Sequence, residues 1–161
     1  MPTIKPCLWF ASEAEAAANF YVSLFPQSRI VNVMRGGPGP DAPVIGVDLE
    51  LWGLPFMTLN GRRTDGFNDS TSFSVPCENQ ADVDRYWDAL VEGGEEGQCG
   101  WLKDRFGVSW QVVPNVLPGL LFDRDPAKAG RAMQAMMRMR KLDIAAIERA
   151  RDGAEVGAGN G

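Results

Sequence analysis

Histidine is absent from this chain of 161 residues. Imidazole is the usual general base near neutral pH and the commonest metal ligand, so its absence excludes a Ser-His-Asp triad, a Cys-His pair and every metal site built on histidine. Cysteine is scarce too: Cys7, Cys77 and Cys99 are an odd set without CxxC spacing, which speaks against a disulfide framework or a zinc knuckle and for reduced thiols. No apolar run approaches the roughly 20 residues that span a bilayer, and the N-terminus lacks the basic-then-apolar pattern of a secretory signal. The expected address is cytoplasmic. Basic residues are outnumbered by acidic ones, giving a net charge of −5. Such a field repels phosphate backbones and anionic lipid, so neither nucleic acid nor membrane is an expected partner.

What is present is enough apolar material for one substantial core, or for two small modules sharing one: 45% hydrophobic residues and five tryptophans. Ile4 to Phe10 alternates as a strand, with Ile4, Leu8 and Phe10 to one side and Lys5, Cys7 and Trp9 to the other. Ser12 stands three residues before Glu15 in a capping-box spacing and opens a helix over 13–25 with Ala16, Phe20 and Leu24 on one face. Strands follow at 29–34, 44–52 and 55–60, the last two a hairpin across Gly53-Leu54. After the polar loop GRRTDGFNDS the order begins again, with a strand at 71–77 and a helix at 80–91 whose apolar face is Val83, Trp87, Leu90 and Val91. Two short strands around the Asp104-Arg105-Phe106-Gly107 turn complete it.

The chain thus repeats β-α-β at about half its length, and its tail differs. A short helical turn is predicted over 116–122. Asp125 with Pro126 behind it caps a helix carrying Met133, Met136 and Met137 on one face, read as a packing face beneath the fold or across a dimer. Asp143 caps a last helix to about Arg151. The expected divisions are 1–66, 67–115 with a shortened strand set, helices over 116–152, and a disordered tail at 153–161.

PCLWF at 6–10, EAxxxFYxxLFPxS from Glu15 to Ser28, FMTLNG at 56–61 and GGEEGQCGWLKDRFGVSWQVVP at 93–114 together resemble the PhnB-like branch of the vicinal oxygen chelate superfamily, the glyoxalase and bleomycin-resistance fold, and the tail PAKAGRAMQAMMRMRKLDIAA at 126–146 is similar to the same branch. Members of this branch often carry a 3-demethylubiquinone methyltransferase label. The resemblance implies an α+β fold of paired βαβββ modules, each curving a mixed sheet around a pocket, with a C-terminal helical tail. It also implies a homodimer. Metal-dependent members place a carboxylate ligand four residues beyond the turn glycine, which here is Gln111. Their histidines fall near Ser72 and near Lys5 or Cys7. A divalent ion wants about three ligands from imidazole, carboxylate or thiolate, so no metal and no cofactor is expected. Methyl transfer is not expected either, because GGPGPD at 36–41 is broken by prolines and leads into a strand, whereas a nucleotide-type turn leads into a helix.

The expectation is therefore a concave pocket for a small organic molecule, with Cys7, Trp9, Asn60, Ser72, Ser74, Trp101 and Gln111 as its lining. An enzyme of unassigned reaction is the alternative, with Cys7, its thiol beside Lys5, as the catalytic candidate; a purely structural module is a third. Trp110 is expected under the second helix.

Overall fold

The computed structural model of the chain describes residues 4–61 and 66–153. Beyond Gly153 the expected disordered tail lies outside the described residues, as does part of the loop before Gly66. The chain divides into two compact units, Met1–Gly66 and Phe67–Gly161. Each holds a four-stranded mixed sheet.

The first unit runs β1 (Cys7–Trp9), α1 (Ala14–Leu24), β2 (Arg29–Arg35), β3 (Val44–Leu51) and β4 (Leu54–Leu59). Its strand order is β1-β4-β3-β2, with β1 parallel to β4 and the remaining pairs antiparallel. Only three residues of the predicted first strand pair, and Ile4 is 95% exposed. The face of α1 that packs on the sheet is Ala14, Ala17, Ala18 and Tyr21, not the stripe of Ala16, Phe20 and Leu24 that spacing suggested. Small side chains let the helix axis approach the strands closely, so three alanines compete well against the larger residues. The capping box does not form. Glu13 turns its carboxylate back to accept from the Ser12 amide at 2.8 Å, and the Ala14 amide donates to Asn60 Oδ1 at 2.8 Å from 46 residues away.

Between β3 and β4 the turn is Trp52-Gly53, one residue earlier than predicted. Leu51 pairs with Leu54, and both turn residues have positive φ, 49° and 78°. That is the backbone a two-residue hairpin needs to match strand twist, and glycine supplies half of it without strain. Trp52 is compensated by its ring, which packs on Phe25 at 5.0 Å between centroids.

The second unit runs β5 (Phe73–Cys77), α2 (Gln80–Val91), β6 (Glu95–Glu96), β7 (Trp101–Lys103) and β8 (Ser109–Pro114), in the order β5-β8-β7-β6 with β5 parallel to β8. The shortened strand of the sequence reading is β6, two residues paired with Lys103 and Leu102. Asn79 caps α2 by accepting from the Asp82 amide at 3.0 Å, and Val83, Tyr86, Trp87 and Leu90 are the face buried against the sheet. Trp110 is 3% exposed, stacked at a tilt on Phe73, and α2 lies against its strand.

The turn between β7 and β8 is organised by Asp104, 2% exposed. Its Oδ1 accepts from the Phe106 and Val108 amides at 2.8 and 3.0 Å, and its Oδ2 accepts from Trp110 Nε1 at 2.8 Å. One buried carboxylate thus holds the turn and orients the indole beneath α2. Burying a charge is expensive unless hydrogen bonds replace its water, and three N–H donors do so here.

Three helices follow: α3 (Leu117–Leu121), α4 (Pro126–Met136) and α5 (Ile144–Asp152). Asp125 and Asp143 cap α4 and α5 as predicted. Leu117, Leu120, Ala132, Leu142 and Ile147 form their core, with Met136 and Met139 packed against it. Met137, placed by spacing on the packing face, is 63% exposed because α4 stops at Met136 and the chain turns there.

Replacing Asp104 by alanine leaves three N–H groups without their acceptor and is expected to lower the unfolding free energy by about 3 kcal/mol or more. Urea denaturation followed by tryptophan fluorescence measures it; a loss below about 1 kcal/mol contradicts the organising role of this carboxylate.

Candidate functional site

Each sheet buries one face under a helix and leaves the other open, and strand alternation decides which side chains stand there. In the first unit Leu8, Val47, Leu49, Phe56 and Thr58 are buried on the α1 side. Cys7 and Trp9 therefore stand on the open side, with their register partners Met57 and Leu59 beside them. Trp9 is 49% exposed, and its Nε1 donates to the Asn60 carbonyl at 3.1 Å.

Asn60 itself does not join them. Its position puts the side chain on the α1 side, where Oδ1 accepts from Ala14 and Nδ2 donates to the Val44 carbonyl at 2.9 Å. It borders a separate open cavity of about 650 Å³ together with Ser12, Glu15, Arg35 and Val44. Arg35 is already occupied there, donating to the Ala42 carbonyl and pairing with Glu15. The amide of Asn60 therefore joins the start of α1 to the start of β3.

The Cys7 thiol is pushed above its usual range: partial burial raises it more than the neighbouring Lys5 charge lowers it. Lys5 is also paired with Asp48. The activation that sequence proximity suggested does not develop. Cys77 is fully buried, with its thiol pushed up to about 12, chiefly by burial.

In the second unit Ser74, Gln111 and Trp101 are register neighbours across β5, β8 and β7 on the open face. Ser72 joins them through its hydroxyl, which accepts from Gln111 Nε2 at 2.9 Å. Four of the seven expected lining residues are thus together within this unit. Lys103 and Ser109 share this face by alternation, and Ser109 is buried on it at 1% exposure. Asp69, from the loop before β5, accepts from Ser109 Oγ at 2.7 Å and pairs with Lys103 at 3.6 Å. Beside Trp101 lies a cleft of about 430 Å³, bordered also by Asp69, Glu95, Glu96, Gln98 and Lys103.

Sequence reasoning missed the charged part of this lining. Lys103 was accessible to it, standing two residues beyond Trp101 on the same face. Asp69 was not, because a loop has no periodicity to assign it a side.

Ser72 and Gln111, expected from the resemblance at or near metal-ligand positions, hydrogen-bond to each other and offer only neutral oxygens. Among the described residues no three His, Cys, Asp or Glu side chains come close enough together to hold an ion. The donor set does not fit a catalytic divalent metal. GGPGPD joins β2 to β3 as a hairpin connection, so no helix N-terminus follows it to receive a nucleotide phosphate. No helix among the described residues is long and apolar enough to cross a membrane.

A family model described as 3-demethylubiquinone-9 3-methyltransferase matches residues 2–113. Among solved structures, a Bacillus cereus protein described as a candidate 3-demethylubiquinone-9 3-methyltransferase, PhnB protein, is 34% identical, with a TM-score of 0.64 over 70% of this chain and 99% of that one. Protein PA1353 from Pseudomonas aeruginosa shares the fold at 20% identity and a TM-score of 0.60, covering 71% of this chain and 98% of its own. The fosfomycin resistance protein FosX from Mesorhizobium loti does so at 11% and 0.51, covering 68% and 87%. No curated protein matches the chain.

Alkylation by iodoacetamide at pH 7.5 is expected to be slower at Cys7 than at free cysteine and undetectable at Cys77 in the folded protein, followed by mass spectrometry. The raised Cys77 value also gives a stability slope. The folded state keeps its proton while the unfolded chain releases it, so stability falls as pH rises from about 9 toward about 12. Cys77→Ala should flatten that part of the profile.

Proposed function

This chain belongs to the family described as 3-demethylubiquinone-9 3-methyltransferase, the PhnB-like branch of the vicinal oxygen chelate superfamily, and within it we propose a protein that binds a small organic molecule on an open sheet face without a catalytic metal. The observation that carries this reading is the second unit's open face, where the Trp101 indole, two serine hydroxyls and one amide are neighbours, with Trp101 also bordering the cleft of about 430 Å³. Pockets that hold small ligands combine apolar or aromatic walls with a few fixed polar groups, and this face has that make-up. Gln111 is held in place by Ser72 and keeps its carbonyl oxygen for a ligand donor. The raised thiol of Cys7 weighs against nucleophilic chemistry as the main role.

A homodimer and a cytoplasmic setting belong to the same proposal. Free sheet edges at β2 and at the short β6 give a motive for pairing copies. Three unpaired cysteines suit a reducing compartment.

A thermal-shift screen with aromatic and heteroaromatic compounds should find ligands that raise Tm by the mass-action amount and quench tryptophan fluorescence. Gln111→Ala should weaken a confirmed ligand by roughly fivefold to tenfold, the worth of one buried hydrogen bond. A broad library without a hit, or a hit that Gln111→Ala and Trp101→Ala leave unchanged, rejects the pocket. Sedimentation velocity at micromolar concentration should give a species of twice the chain mass, and a monomer there rejects the pairing.

A further inference from the structure

The matched part of the chain ends at Val113, and the aligned Bacillus cereus structure is covered almost entirely by 70% of this chain. The helices α3 to α5 lie beyond the residues 2–113 that the family model matches, and they are attached to one border of the cleft. The corner Gln98-Cys99-Gly100 leads into Trp101 with two consecutive left-handed residues, φ 58° at Cys99 and 84° at Gly100. The Cys99 amide donates to the Met139 carbonyl and the Gly100 amide to the Arg140 carbonyl, both at 2.8 Å. A side chain at Gly100 would meet the Val112 carbonyl at 2.7 Å and Leu142 Cδ1 at 3.1 Å, so the α4–α5 connection sits directly on this corner. A left-handed non-glycine residue persists only where its surroundings hold it, and here the surroundings are the α4–α5 connection.

The same connection alters the cleft's charge. Asp69, Glu95 and Glu96 border it, and Lys103 is the one cation among its bordering residues. Lys103 pairs with Asp69, whereas Glu96 pairs with Arg140, whose Nη1 donates to Glu96 Oε2 at 3.1 Å. Arg140 comes from the α4–α5 connection. Without it the lining has three carboxylates against one ammonium.

Resting on the small-molecule reading above, we propose that the C-terminal helical segment sets the specificity of this cleft: its 139–142 connection fixes the wall that carries Trp101, and Arg140 is the positioning residue that neutralises Glu96. Arg140 acts through Glu96, and its effect is on which charge the cleft accepts. Both partners are substantially exposed, with side-chain accessibilities of 61% and 43%, so the effect is modest and salt-dependent.

The test compares the full chain with Arg140→Ala and Arg140→Lys, using two planar fluorescent probes of opposite charge: 8-anilinonaphthalene-1-sulfonate and the cationic dye proflavine. Arg140→Ala is expected to weaken the anionic probe and strengthen the cationic one, each about twofold to fivefold at low salt. Arg140→Lys should return both to wild-type values, and the split should shrink in 0.5 M salt. A variant that is merely misfolded would move both probes the same way; that outcome, or no shift in either, overturns the proposal while leaving the small-molecule reading intact. Failure of the wild-type protein to bind either probe overturns the reading and this proposal together. Hydrogen exchange gives a check that needs no probe: the Cys99 and Gly100 amides should be protected in the wild type and exchange at least tenfold faster in Leu142→Ala. Equal rates would show that the helices do not hold the corner.

Discussion

The carboxylate of Asp104 sits where water cannot reach it, and a bare charge in that position would not be tolerated. Three N–H groups make it tolerable: two amides of its own turn and the indole of Trp110. Satisfying this one group fixes the β7–β8 turn, and the indole can meet it only from the α2 side of the sheet. Because strand side chains alternate, committing Trp110 inward commits Gln111 outward, opposite Trp101 and Ser74. The composition of the open face is therefore settled by the requirement to hydrogen-bond a single buried anion six residues from Trp110.

Much of the fold was legible because period-2 alternation and capping residues are local signals. Gln80–Val91 matches the predicted helix end for end, with Asn79 before it, and Asp125 and Asp143 cap the helices they were expected to cap. What failed was decided at a distance. The box of Ser12 and Glu15 lost to an acceptor 46 residues away, and the apolar stripe of α1 lost to alanines chosen by how closely a sheet could approach. The open-face residues of β7 and β8 could be read from parity. Asn60, with the right residue type, sits one position past the end of β4, and there alternation sends it to the helix side.

The two units solve the same architectural problem with different chemistry at equivalent places. In the first, the open face carries a thiol, an indole and methionine and leucine side chains; in the second, hydroxyls, an amide and an indole. Among the described residues, neither brings three His, Cys, Asp or Glu side chains close enough together for the ligand set a divalent ion requires. The superfamily's fold is retained here, and Ser72 and Gln111, which the resemblance sets at or near ligand positions, hydrogen-bond to each other.

The bond from Ala14 to Asn60 has a consequence for the order in which the first unit can assemble. Its helix begins properly only when the far end of β4 is present, and β1 has no partner until Met57 to Leu59 arrive. Both contacts close loops of roughly fifty residues before they return any stabilisation, so neither helps the chain while it is short. During synthesis, the amino-terminal segment must wait for almost its whole unit to emerge. The solubility of the nascent chain in that interval then rests on the polar residues of α1, whose alanine face has as yet nothing to cover.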